Sequence, residues 1–164
     1  MIKNIILIGM TGCGKTTIGQ KLSQEIDYDF YDMDNYIEEI TNKTIPELFK
    51  ESEDIFRKWE TKACIELSKK EKSIISTGGG VIKKDENIQA LKENSNIFFI
   101  DRPLNHISKD IDITTRPLLA NDPEALQQLF IERYPIYTAV ADYTIPNAGD
   151  IDRVIQTIKE IIQN

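Results

Sequence analysis

The sequence predicts a three-layer α/β/α fold built on a five-stranded parallel sheet. Three observations predict it. Asn4 to Gly9, NIILIG, is an unbroken apolar and β-rich run, the pattern of a strand buried on both faces. A glycine-rich turn follows it at once and leads into a helical pattern from about Lys15 to Ile26. Further short β-rich runs then alternate with helical stretches to the end of the chain, which is the order of a parallel sheet covered on both faces. A length of 164 residues suits one domain around one core.

The remaining elements follow in order. YDFYD, Tyr28 to Asp32, reads as a second short strand. TIPE, Thr44 to Glu47, is a capping box with Pro46 in the first turn, so it opens a helix. Ser52 is placed to cap the next helix, which runs to about Lys70. KSIIST gives a third strand that ends in Gly78-Gly79-Gly80, and NIFFID, Asn96 to Asp101, a fourth. The stretch from about Asp110 to Asp122 is polar, lacks a clear period and reads as a mobile loop. A long helix follows from about Pro123, with Pro135 inside it and therefore a kink expected. DYTIP is a fifth strand, and Ile151 to Ile162 a closing amphipathic helix. No internal repeat, low-complexity segment or linker divides the chain.

Composition excludes several classes. Apolar residues make up 40% and charged residues 29%, the balance of a water-soluble globular domain. The start MIKNIILIGM is too short an apolar run for a secretory signal, and no run is long enough to span a membrane. A net charge of -7 without a basic cluster argues against nucleic acid. Cys13 and Cys64 sit in unrelated contexts and form no metal-ligand pattern, which points to a reducing, cytoplasmic setting. No hydrophobic stripe is left over for a partner, so a monomer is expected. There are 15 lysines but only five arginines, Arg57, Arg102, Arg116, Arg133 and Arg153. Arginine is the better fork for planar anions, so its few positions are informative.

The strongest motif is GMTGCGKT, Gly9 to Thr16, which fits G-x-x-x-x-G-K-[ST] between an apolar strand and a helix. Glycines let the backbone turn its N–H groups toward phosphate oxygens, and the helix N-terminus adds positive potential. Lys15 would reach the β- and γ-phosphates, and the Thr16 hydroxyl would ligate Mg²⁺. Asp32 and Asp34, in FYDMDN, fall at the C-terminal end of the second strand, where ligands of open parallel sheets bind. In an extended segment their i, i+2 spacing turns both carboxylates to one side, one toward Mg²⁺ and one toward an acceptor hydroxyl. FRKWE places Arg57 and Glu60 within pairing reach on one helix face, beside Phe49, Phe56 and Trp59. The glycine triplet offers close backbone approach to a small ligand. Arg116, in TTRPLLA, and Arg133, in ERYPIYTAVAD, are further cations, and a mobile arginine near a γ-phosphate would stabilise the transferring charge.

In this order and combination the motifs closely resemble those of the shikimate kinases. GMTGCGKT, DMD, FRKWE, GGG, RPLL and RYPIY follow the family order over nearly the whole chain. The resemblance implies a P-loop NTPase fold like that of the nucleoside monophosphate kinases. It implies a single kinase domain over residues 1–164, with a shikimate-binding region at about 33–61 and a lid at about 110–122. The implied activity is transfer of phosphate from ATP to the 3-hydroxyl of shikimate, in chorismate and aromatic amino acid biosynthesis, with Mg²⁺ as cofactor. Other small-molecule kinases, for gluconate or a nucleoside monophosphate, lack the combined set. A non-catalytic nucleotide-binding module would lack the acceptor acid or the lid arginine, and both are present.

The resemblance also implies roles by position. ATP would be held by Gly12, Cys13, Gly14, Lys15, Thr16 and Thr17, with Lys109 and Arg116 from the lid side. Asp32 and Thr16 match the metal-binding pair. Asp34 matches the acid that binds ring hydroxyls and orients or deprotonates the attacking one, and it joins Lys15 and Arg116 as the catalytic set. Arg57, Arg133, Gly78, Gly79 and Gly80 match the shikimate site, with Phe49 and Phe56 as walls and Glu60 holding Arg57. Two positions depart from the family. Ser52-Glu53 stands where Gly-Glu is frequent, and Lys109 stands at the lid-stem position that often carries an arginine stacked on adenine. Lysine can make a cation–π contact but cannot stack as a plane. In a chain of net charge -7, three of five arginines in these motifs would make a local positive pocket.

Overall fold

β1 (Asn4–Ile8) is buried along its whole length, and its side chains divide between two cores. Ile6 and Ile8 pack on one face of the sheet, Ile5 and Leu7 on the other. The computed structural model describes residues 3–110 and 122–164, without the side chains of residues 109 and 110. Around β1 lie β2 (Asp29–Asp32), β3 (Ser73–Ser76), β4 (Ser95–Asp101) and β5 (Tyr143–Pro146) in the order β2-β3-β1-β4-β5. Every pairing is parallel, as the alternating pattern requires.

Helices cover both faces. On one side α1 (Lys15–Ile26) and α8 (Ile151–Gln163) bury Ile18, Leu22, Val154, Ile155 and Ile158 against Leu7, Phe98 and Ile145. On the other side lie α2 (Met33–Thr41), α3 (Ile45–Glu51), α4 (Glu53–Ser68), α5 (Asp85–Lys92), α6 (Leu104–Asp110) and α7 (Pro123–Val140). Their buried residues, among them Met33, Ile37, Phe56, Cys64, Ile107 and Tyr137, form the larger core. Both predicted caps form: Thr44 accepts from the amide of Glu47, and Ser52 from that of Ile55.

Three short helices go beyond the sequence reading: α2, α5 and α6, together with a turn of 3-10 helix at Val81–Lys83. The first corrects the expectation that Asp32 and Asp34 share an extended segment. Asp32 ends β2 with extended dihedrals and caps α2, accepting from the Asn35 amide at 3.1 Å, whereas Asp34 lies in the first helical turn. α7 runs unbroken through Pro135, although that residue cannot donate to the carbonyl of Ile131. The loop expected at about 110–122, with Arg116, falls almost wholly outside the described residues.

Register brings the strand ends level. Leu7 and Asp32 both stand opposite Ser76, so the segments leaving β1, β2 and β3 emerge at one edge. Asn147, just beyond β5, closes that edge. It is 2% exposed, donates from Nδ2 to the Cys13 carbonyl at 2.9 Å and accepts from the Gly149 amide at 3.1 Å. Asn147→Ala leaves both groups without these partners. It is expected to lower stability by about 1–3 kcal/mol, read as an earlier urea midpoint with an unchanged slope.

Candidate active site

The turn from β1 into α1 wraps around a cavity of about 370 Å³ lined by Thr11, Gly12, Gly14, Lys15, Thr16, Thr17, Asp32, Asp34 and Arg102, among others. Gly14 caps α1 at φ 104, a left-handed value that strains any residue with a Cβ. α1 therefore starts with its first amides turned toward the cavity, where an anion is favoured. Lys15 is 7% exposed and folded back on the loop, with Nζ donating to the carbonyls of Gly9 at 2.7 Å and Met10 at 3.0 Å. Cys13 is 1% exposed, and its Sγ lies 3.6 Å from the same amine.

Asp32 faces this loop. Its Oδ2 accepts from the Thr16 hydroxyl at 3.0 Å, while Oδ1 is engaged as the α2 cap. A hydroxyl and a carboxylate side by side are a hard-oxygen pair, the donor chemistry that suits Mg²⁺ when phosphates and waters complete the shell. Among the described residues no cluster of three or more His, Cys, Asp or Glu could hold a metal by itself.

A second cavity of about 160 Å³ opens beside the first, lined by Thr11, Asp34, Phe49, Phe56, Arg57, Glu60, the glycine triplet and Arg133, with Ile45 and Leu129. Arg57 stands over the stacked rings of Phe49 and Phe56, with its guanidinium carbon 5.9 and 5.1 Å from their centroids. Its Nη1 donates to Glu60 at 2.9 Å and its Nε to Glu53 at 3.4 Å. Glu60 is 1% exposed; burial pushes its carboxyl above the ordinary value of 4.5, against the pull of Arg57. A Cβ on Gly80 would lie 2.6 Å from Arg57, so only glycine lets the guanidinium lie against the backbone. Tyr137, fully buried on α7, donates to the Gly79 carbonyl at 2.5 Å and fixes the triplet against the helix that carries Arg133.

A sequence profile of the shikimate kinase family matches residues 11–163. The chain belongs to the shikimate kinase family. A shikimate kinase of Clostridium beijerinckii is 51% identical over 162 residues, covering 99% of this chain and 96% of the relative. The solved shikimate kinase of Acinetobacter baumannii in complex with shikimate superposes with a TM-score of 0.92 at 35% identity, covering 99% of this chain and 94% of the other. A gluconokinase of Sinorhizobium meliloti reaches a TM-score of 0.62 at 13% identity over 98% of this chain and 91% of its own, a likeness of fold alone.

Within this shikimate kinase fold, the two cavities bring together nearly all of the residues singled out in the sequence. Gly12, Gly14, Lys15, Thr16, Thr17 and Asp32 line the first; Phe49, Phe56, Arg57, Glu60, Gly80 and Arg133 line the second; Asp34, Gly78 and Gly79 line both. Cys13 is buried behind the loop and lines neither. Arg116 and the side chain of Lys109 lie outside the described residues. His106 sits on α6, away from both cavities.

Sequence reasoning missed Thr11, Ser76, Thr77 and Arg102. Arg102 follows β4 and donates from Nη1 to the Gly12 carbonyl at 2.7 Å. Its early place among five arginines was the available signal, yet no motif marked it. Thr77 hangs on β1 by donating to the Leu7 carbonyl at 2.8 Å.

Glu60 generates a pH prediction. A carboxyl whose folded value is raised stays protonated in the fold after the unfolded chain has ionised, so its contribution to stability falls as pH climbs upward from 4.5. The stability difference between Glu60→Gln and the parent should therefore move in the variant's favour over that interval, measured by urea denaturation at a series of pH values. A flat difference would mean that the carboxyl ionises alike in both states.

Proposed function

We propose that the protein transfers the γ-phosphoryl group of ATP to the 3-hydroxyl of shikimate, giving ADP and shikimate 3-phosphate for chorismate and aromatic amino acid biosynthesis. The observation that carries this reading is a phosphate-binding loop and an arginine-walled cavity that share one acid, Asp34. The family supplies ATP and a divalent metal as reactants; we take the metal to be Mg²⁺. Thr16 and Asp32 would hold it, and when bound it neutralises phosphate charge. Membership of one kinase domain over the whole chain, a cytoplasmic location and a monomeric state complete the proposal. Among the described residues no helix is long and apolar enough to cross a membrane.

The chain's own residues divide the work. The α1 amides and Lys15 bind the polyphosphate, the amine exchanging loop carbonyls for phosphate oxygens. Arg57 and Arg133 grip the carboxylate of shikimate. Glu60 holds Arg57 in a fixed orientation, and the stacked Phe49 and Phe56 form an apolar wall that strengthens the charge contact. Gly79 and Gly80 bring backbone close to the ring. Asp34 accepts the hydrogen bond of the attacking hydroxyl and aligns its oxygen with the γ-phosphorus. Phosphoryl transfer needs alignment and charge neutralisation above all, and Arg116, from the lid proposed at about 110–122, would add the second. Lys109 would approach the adenine from the lid stem, and Cys13 shapes the loop from behind.

An ADP-release assay with shikimate, gluconate and nucleoside monophosphates as acceptors tests the reading. Shikimate alone should support rapid turnover, and preference for another acceptor would replace it. Asp34→Asn is expected to reduce turnover by about a hundredfold or more while ADP binding survives, and near-native turnover would remove Asp34 from its role. Arg57→Ala should weaken shikimate binding by about tenfold or more with ADP affinity kept. Calorimetric titration with each ligand reads this, and equal loss for both would indicate a disturbed fold.

A further inference from the structure

The two cavities meet at four residues: Thr11, Asp34, Gly78 and Gly79 line both. Asp34 and the glycines already have tasks. Thr11 has none, although its side chain stands where the nucleotide site and the acceptor site join. It occupies a variable position of the phosphate-loop pattern, so the motif requires no hydroxyl there. Among the described residues no hydrogen bond engages that hydroxyl.

Its surroundings are polarised. Around the point where a Cβ of Gly79 would stand lie Arg133 Nη1 at 3.1 Å, Thr11 Oγ1 at 3.2 Å and the Thr11 amide nitrogen at 3.4 Å. All three are donors. Across the seam, Asp34 Oδ1 lies 3.4 Å from the corresponding point on Gly78 and can only accept when ionised. A hydroxyl that gives up a proton belongs on the Asp34 side. An anionic oxygen is repelled there and belongs on the Thr11 side.

We propose that the Thr11 hydroxyl, with its own amide N–H, holds a non-bridging oxygen of the transferring phosphoryl group at the seam. The inference deepens the phosphotransfer reading and rests on it. In the step, a bond forms from the acceptor oxygen to the γ-phosphorus, and the bond from that phosphorus to the β,γ-bridging oxygen breaks. The electron pair leaves with ADP, the acceptor's proton passes to Asp34, and Thr11 donates a hydrogen bond while keeping its proton. The contact strengthens as charge gathers on the transferring group, so it acts on turnover more than on binding.

The test compares Thr11→Val, which keeps the shape without the hydroxyl, with Thr11→Ser, which keeps the hydroxyl. For Val, kcat should fall about tenfold or more while both KM values and ADP affinity stay within roughly twofold, and Ser should restore most of the rate. Three results would overturn the proposal: parental kcat in Val, a Ser variant as slow as Val, or ADP affinity falling in step with kcat. Single-turnover ATP hydrolysis without acceptor separates this from the function itself. If the parent fails on shikimate, the proposed substrate falls alone. Slower hydrolysis in Val with recovery in Ser still supports Thr11, and equal rates in all three remove it.

Discussion

The phosphate loop is governed by a constraint on its own backbone. Turning amides outward to meet an anion turns carbonyls inward, and a carbonyl held away from water must find a donor. The fold answers from three directions. Lys15 takes the buried carbonyls of Gly9 and Met10 and Asn147 reaches from beyond β5 to that of Cys13, while Arg102 reaches from the end of β4 to Gly12 at the exposed rim of the loop. β4 and β5, which lie in that order on one side of β1, thus brace the loop on one flank, while Thr77, just past β3, donates to Leu7 on the other. The carbonyls of the loop are tied in this way to elements that also carry the core.

Charge is handled in the same economical way. The chain as a whole is acidic, at -7, and under the proposed function its second cavity has to attract an anion. Arg57 and Arg133 supply the attraction, but an isolated guanidinium among aromatic rings would be costly to desolvate. Glu60 offsets that cost and locks the fork of Arg57, at the expense of a carboxylate pulled out of water. With Arg57 paired to Glu60, Arg133 brings a second cation to the pocket from a separate helix, in a lining that also holds Asp34. Tyr137 ties that helix to the glycine triplet, so both arginines are referred to one stretch of backbone.

Much of this was readable in the chain because it rests on local rules. A strand, a glycine turn and a helix opening on GKT are consecutive, and the hydroxyls of Thr44 and Ser52 accept from backbone amides only three residues on. What escaped depends on distant partners. Arg102 and Asn147 matter through carbonyls 90 and 134 residues away, which no local pattern records. The short helices α2, α5 and α6 offer too few turns to show a period, and tertiary packing stabilises them. The local cost of Pro135 points to a kink, yet α7 continues through it, with Tyr137 and Leu126 on the same helix anchored in the core. Thr11 was invisible because a variable position in a motif acquires meaning only when two cavities are seen to meet there.

The pair Asp32 and Asp34 shows what the boundary between β2 and α2 accomplishes. Alternation along a strand would have turned both carboxylates to one side, where two like charges repel, and even here both border the first cavity. Ending the strand at Asp32 and starting a helix at Met33 rotates the next acid away. Asp32 then faces Thr16, and Asp34 reaches toward Gly78 and the neighbouring cavity. The cap bond that Asp32 accepts from the Asn35 amide sets the turn, so one carboxylate both faces Thr16 and orients the helix that carries the other. Aiming two acids only two residues apart at different neighbours requires that change of dihedral, and a helix holds the second acid more firmly than a loop would.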